Sequence, residues 1–170
     1  ADFPPAETGE VTVVLTEGRE KIEARGAQAG ARGWTWAEES LYAAWVEALF
    51  LDGDERSSWK ALHDVLRDPG RNLLYNHLGL GEDDPKAPVP LTLRPDCADN
   101  PFFLRAYFAW KLGLPFGFHE CSRGWKGRPP ACDRWLTNAA RPASGGPVRA
   151  FRSFLGGLMN AVHSASGRTA

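Results

Sequence analysis

The amino-acid sequence predicts a mainly α domain: helices packed around a central apolar helix at 100–113, with at most one or two short strands. Three observations predict it. Apolar residues occupy nearly every position from Phe102 to Leu112, so a helix there is covered almost all round. Two further stripes recur at helical spacing, Leu41, Ala44, Trp45, Ala48 and Leu49 in one segment and Phe151, Phe154, Leu155, Leu158, Met159 and Val162 in another. A single convincing β-branched run, Glu10 to Thr16, competes with them.

Taken in order, residues 10–16 read as a strand or buried lead-in, and the charged, Gly/Ala-rich residues 17–33 as a helix followed by a loop. Thr35 with Glu38 forms a capping-box pattern that opens a helix to about Leu51. Asp52-Gly53-Asp54 ends it and lacks the remaining ligands of a calcium loop. Ser57 or Ser58 caps a second helix in which Trp59, Leu62, Val65 and Leu66 share a face, with His63 on its flank and partly buried, until Asp68-Pro69-Gly70 stops it. Asn72 to Leu78, containing His77, reads as a short third helix. Residues 79–95 carry four prolines and read as an irregular crossing over the surface. Gly113 and Pro115 end the central helix, a basic loop follows, and Pro147 opens a last helix that runs out near His163, before a polar tail.

A length of 170 residues, 43% hydrophobic and 24% charged, suits a single domain over 1–170 with a real core. No apolar run approaches the roughly 20 residues that span a bilayer. The net charge of −1 predicts no partner by itself, but the charges are segregated. Residues 121–152 hold seven Lys or Arg against Asp133 alone, whereas residues 38–55 hold six acids and no Lys or Arg. The basic stretch suits an anionic polymer or a carboxylate-bearing substrate, or simply faces the acidic one or water. No nucleic-acid motif accompanies it, so nucleic acid is not an expected partner.

There are three cysteines, Cys97, Cys121 and Cys132. Cys121 and Cys132 bracket a Gly-, Pro- and Arg-rich segment that core burial cannot hold, and a disulfide there closes the loop. The alternatives are two reduced thiols, or a zinc site with His119 that lacks an evident fourth ligand and the usual close spacing. An odd cysteine count fits an exported protein with one thiol left over, as does an opening Ala1-Asp2-Phe3-Pro4-Pro5 with neither initiator Met nor signal. The expected location is periplasmic or extracellular, and Cys97 is the free thiol.

Cys97 stands where the central helix begins. A helix N-terminus favours the thiolate, the reactive form of cysteine. With Asp96 as cap, Cys97 is the first helical residue and Pro101 leaves one early carbonyl free. With Asn100 as cap and Pro101 first, Cys97 lies in the turn ahead of the helix. Asp96 and Asp99 oppose ionisation by their charge, so the site needs a cation, most naturally an imidazole.

The run Asp96-Cys97-Ala98-Asp99-Asn100-Pro101-Phe102-Phe103-Leu104-Arg105-Ala106-Tyr107-Phe108 resembles the nucleophile segment of bacterial cell-wall cysteine endopeptidases of the papain-like superfamily, in which an Asp-Cys-Ser-Gly-like turn opens an aromatic-rich helix. The resemblance covers about 20 residues and implies a Cys97 thioester acyl-enzyme, a His base and a third, orienting polar residue. Ala98-Asp99 replaces the small Ser-Gly pair. The family carries its His on a strand of a following sheet, and nothing after Phe118 reads as such a sheet.

His163 has the right order for the base, and His119 is the next choice; His63 and His77 precede the cysteine and read as ordinary flank residues. The other expectation is a second polypeptide, or chain beyond Ala170, that supplies the strands and the base and makes the whole α+β. The expected function is a cysteine hydrolase or acyltransferase on amide bonds, with peptide or peptidoglycan-like substrate. Cys97 is the nucleophile, His163 the base, Asp96 and Asp99 orienting residues and the N–H groups around Cys97 and Ala98 the oxyanion site. No cofactor or metal is expected. The alternatives are a non-catalytic secreted binding domain with a structural Cys97 and a basic contact loop, and transglutaminase-like acyl transfer.

Overall fold

A computed structural model describes residues 33–51, 58–139 and 145–162, all within the compact unit Ala31–Ala170. In chain order these form α1 (Trp36–Phe50), α2 (Leu62–Leu66), α3 (Asn100–Leu112), β1 (Gly117–Cys121), β2 (Cys132–Thr137) and α4 (Pro147–Ala161). The domain is mainly α, with one two-stranded antiparallel sheet among the described residues. The expected strand at 10–16, the segment from 17, the turn at Asp52–Asp54, Ser57, His163 and the tail lie outside the described residues.

The central helix is where the apolar run places it. Phe103, Leu104, Ala106, Tyr107, Phe108 and Ala109 of α3 are buried, and aromatic rings join α3 to the helices on either side. Trp45 of α1 stacks on Tyr107 at 5.7 Å between centroids, and Trp110 stacks on Phe151 of α4 at 4.2 Å. Such pairs contribute about 0.5–1.5 kcal/mol each beyond the area they bury. Arg105 looks outward from α3; its guanidinium lies 3.4 Å over the Trp34 ring and grips Glu39 of α1, with Nη1 2.6 Å from Oε2.

The ends form as their caps require. Glu38 accepts the Thr35 N–H at 3.0 Å while Thr35 Oγ1 accepts the Ala37 N–H at 3.2 Å, so two N–H groups at the start of α1 are satisfied. Gly113 adopts φ 66°, and Leu114 N–H then reaches back to Ala109 O at 2.8 Å, closing α3. Pro147 opens α4, which buries Phe151, Leu155 and Leu158; Met159, at the edge of that stripe, stays 46% exposed.

Four expectations need correction. First, α2 is a single short turn beginning at Leu62, with Ala61 rather than a serine at its N-cap and no side-chain cap bond. Trp59 precedes the helix because its ring packs edge-on against Phe50 of α1 at 5.6 Å and carries the Arg71 guanidinium on its face. Second, His63 is buried rather than on a half-exposed flank: Leu93 N–H donates to its Nδ1 at 3.0 Å, so the imidazole serves the backbone of a neighbouring segment.

Third, Asn72 to Leu78 is a series of turns and not a helix. The Asn72 carboxamide points inward, where Oδ1 accepts from Trp45 Nε1 and from Leu74 N–H at 3.0 Å each. Its Nδ2 donates to Leu66 O at 2.7 Å and to Tyr107 Oη at 2.9 Å. Asn76 takes φ 49° and exchanges backbone and side-chain bonds with Asp83. Side-chain acceptors here outcompete the helical ladder. Fourth, residues 79–95 are irregular but do not merely cross the surface, since Glu82, Asp83, Leu91 and Leu93 are all buried.

The strands fall where the sequence reads as a basic loop. β1 and β2 pair His119 with Trp135 and Glu120 with Arg134, and the Cys121–Cys132 disulfide closes the far end. Phe118 and Leu136 share the inner face of this hairpin, where the Phe118 ring meets Phe154 of α4 at 5.5 Å. On the outer face the Trp135 ring lies across Gly117, where any side chain would collide with it.

Candidate active site

Cys97 is the free cysteine among the described residues, and it is exposed. The structure falls between the two capping registers: α3 begins at Asn100 with Asp99 at its N-cap, while Asp96 caps the turn ahead of it, its Oδ1 accepting the N–H groups of Ala98 and Asp99 at 2.8 and 2.9 Å and its carbonyl accepting the Asn100 N–H at 3.0 Å. Pro101 has no N–H to give to Cys97 O, so the helical ladder does not run back through this turn. Cys97 therefore lies in the turn just ahead of α3, whose body is fixed in the core.

The same bonds define what the neighbours do. Asp96 and Asp99 are a reciprocal cap, with Asp96 N–H 3.5 Å from Asp99 Oδ2. The Ala98 N–H is engaged by Asp96, so of the two N–H groups expected to bind an oxyanion, that of Cys97 is the one not held by Asp96.

The thiol faces a cleft of about 290 Å³ lined by Phe50, Trp59, Leu62, Val65 and Pro95 on its apolar sides and by Lys60, Asp96 and Asn100 on its polar ones. Three chain segments build it: the end of α1, the approach to α2 and the approach to α3. Trp59, 37% exposed, is its largest wall. Lys60, which sequence reasoning passed over, brings a positive charge to the cleft that holds Cys97; no local pattern in the sequence marks it.

The histidines are placed as follows. His63 is on α2, with Nδ1 committed to Leu93 and Nε2 3.6 Å from Asp64. His119 is exposed on β1 with its ring against Trp135 at 4.8 Å. His77 lies in the turns after Asn72, and His163 lies outside the described residues. None of the described three hydrogen-bonds Cys97. Cys121 and Cys132 are bonded to each other, which leaves neither as a thiolate for zinc.

A second polar cluster was not foreseen. Lys111, inside the apolar helix, bonds Glu82 and lies 2.5 Å from Asp83 Oδ2, all three being sealed from solvent. Tyr107 Oη donates to Asp83 at 2.9 Å, and burial, then the Asp83 charge, raises its pKa well above the usual phenol value. Burial also pushes the Glu82 carboxyl up. The Lys111 hydrogen bond and the N–H groups of Leu78 and of Glu82 itself outweigh that, so the net shift is downward. Glu82 further accepts the Leu80 N–H at 3.1 Å. This cluster organises backbone; closed to solvent, it offers nothing to a substrate.

Among known protein families, curated proteins and solved structures, none matches this chain.

Proposed function

We propose that the chain is a thiol enzyme of amide chemistry, a hydrolase or acyltransferase with peptide substrate of the cell-wall type, in which Cys97 is the nucleophile. The observation that carries this is the placement of an exposed thiol in the turn that leads into the core-anchored α3, in a cleft that also presents Lys60. The Cys97 sulfur adds to the carbonyl carbon, the C–N bond breaks, and the amine leaves with a proton. Water or a second amine then releases the acyl group from the thioester. The Cys97 N–H is the donor available to the developing oxyanion, and Lys60 is the cation that lines the same cleft. The base is His163, or an imidazole of a second polypeptide that completes the fold. The disulfide supports an exported location, because such bonds persist in oxidising compartments.

A second reading, an exported binding domain with a structural Cys97, is favoured by the exposed indoles and cations of the β1–β2 hairpin. Two measurements separate the readings. Native Cys97 is alkylated by iodoacetamide across a pH series, with Lys60→Met alongside, and the protein is mixed with a peptide p-nitrophenyl ester and weighed intact. The enzyme reading expects rapid alkylation, slower at neutral pH in Lys60→Met, and a transient adduct of acyl mass lost in Cys97→Ala. Alkylation only after denaturation, with no adduct, would leave the binding reading. Adding a primary amine tells transfer from hydrolysis by the product formed.

A further inference from the structure

We infer that the tip of the β1–β2 hairpin is a docking surface for an anionic lipid bilayer, independent of whether Cys97 is catalytic. Beyond the disulfide the hairpin narrows to a tight turn, Trp125-Lys126-Gly127-Arg128, in which Trp125 and Arg128 exchange backbone hydrogen bonds of 3.1 and 2.6 Å. Gly127 takes φ 74° at the corner and Gly124 takes φ 73° just before it. At Gly124 a side chain would meet Arg128 O at 2.9 Å, so the two arms approach as closely as they do only with glycine there. The result is a stapled projection rather than a groove.

Its chemistry is that of a membrane interface. Trp125 is 77% exposed where the turn begins, and Arg123, Arg128 and Lys126, the last at the corner of the turn, are exposed and have no acidic partner among the described residues. Between Ser122 and Ala131 the sequence carries those three cations and no acid. Farther down, the Arg134 charge is already answered by Glu120 at 2.7 Å, so the unbalanced charge is confined to the tip. An exposed indole at the tip with cations on either side of it in sequence matches a bilayer surface, where Trp settles among headgroups and Lys or Arg reach lipid phosphates. A glycan chain, by contrast, is held on flat or concave aromatic platforms that enclose it, and a convex apex with one ring encloses nothing.

The test uses the oxidised full chain and vesicles of phosphatidylglycerol mixed with phosphatidylcholine, compared with phosphatidylcholine alone. Co-sedimentation with the anionic vesicles is expected at moderate salt, and release at high salt. Lipids brominated near the headgroup are expected to quench a blue-shifted component of the emission that is missing in Trp125→Phe. Replacing Arg123, Lys126 and Arg128 together by Ser should weaken binding about fivefold per cation, about 100-fold in all, with the thermal unfolding midpoint unchanged. Equal binding to neutral vesicles, no binding to either, or wild-type binding by the Ser variant overturns the inference. So does retention by soluble polygalacturonate with no binding to vesicles, which would make the surface a glycan site.

Discussion

Lys111 Nζ lies 2.5 Å from Asp83 Oδ2, with neither side chain reached by solvent. Helix α3 thus places a cation at the centre of an otherwise aromatic core, and the irregular segment ahead of it supplies the two carboxylates that make this tolerable. Lys111→Met keeps the aliphatic stem but strands Glu82 and Asp83 beside each other. Removing one partner of a buried pair costs about 3–5 kcal/mol. Chemical denaturation of Lys111→Met should show a loss of that size, and restoration in the triple change that also makes Glu82 Gln and Asp83 Asn would identify stranded charge as the cause.

Acid should weaken the fold in two stages. Loss of water around the His77 ring, then the Lys111 charge, lowers the His77 pKa from 6.5. The unfolded chain therefore takes up that proton first, and stability begins to fall as pH drops below about 6.5. The Glu82 carboxyl lies below its ordinary 4.5, so its contribution is whole above that value and is lost as pH falls through the lowered one. Unfolding midpoints measured from pH 8 downward should decline gently and then steeply. Glu82→Gln, less stable at neutral pH, should show a flatter acid limb.

Removing the Asp96 cap should loosen the turn that carries Cys97. Asp96→Ala leaves two N–H groups without their acceptor and is expected to cost about 1 kcal/mol, read from the denaturation midpoint. Asp96→Asn keeps an acceptor oxygen and should retain most of that stability. Amide exchange at Ala98 and Asp99 should quicken in the Ala variant while Phe108 stays protected.

The Cys121–Cys132 bond closes a separation of 11 residues, for which chain-entropy arguments give about 2–3 kcal/mol. Replacing both cysteines by Ser should lower the unfolding midpoint accordingly. The loss of amide protection should concentrate between Ser122 and Ala131, because Phe118 and Leu136 still hold the base of the hairpin on α4.

What the sequence shows plainly are the elements whose signals are local. Thr35 with Glu38, Gly113 and Pro147 mark the ends of α1, α3 and α4 because each acts within a turn of the residue it caps. The hairpin was not legible, since Gly-Phe-His-Glu-Cys and Cys-Asp-Arg-Trp-Leu-Thr carry little β-propensity; a disulfide between their own ends and the Phe154 ring, distant in sequence, hold them. Asn72 to Leu78 has helical composition, yet Trp45, Tyr107 and Asp83 recruit its polar side chains elsewhere. The same division runs through the site. Asp96 announces the start of the turn at Cys97, whereas the cleft requires Phe50 and Trp59 to meet across chain that local pattern cannot fold. Lys111 was hidden inside an apolar run, with its partners in what reads as a Pro-rich loop.

The stretch from Gly79 to Pro95, with its glycines and prolines, has the composition of a seam at which one would cut or graft a chain. Glu82, Asp83, Leu91 and Leu93 are instead part of the interior, and the Leu78 and Leu80 N–H groups hang on Glu82. An endoprotease should find Lys86 far less inviting than its surroundings suggest, and a tag inserted there would split the molecule through its middle. Permutation of the termini has a better opening at the Lys126-Gly127 turn, which no core residue depends on.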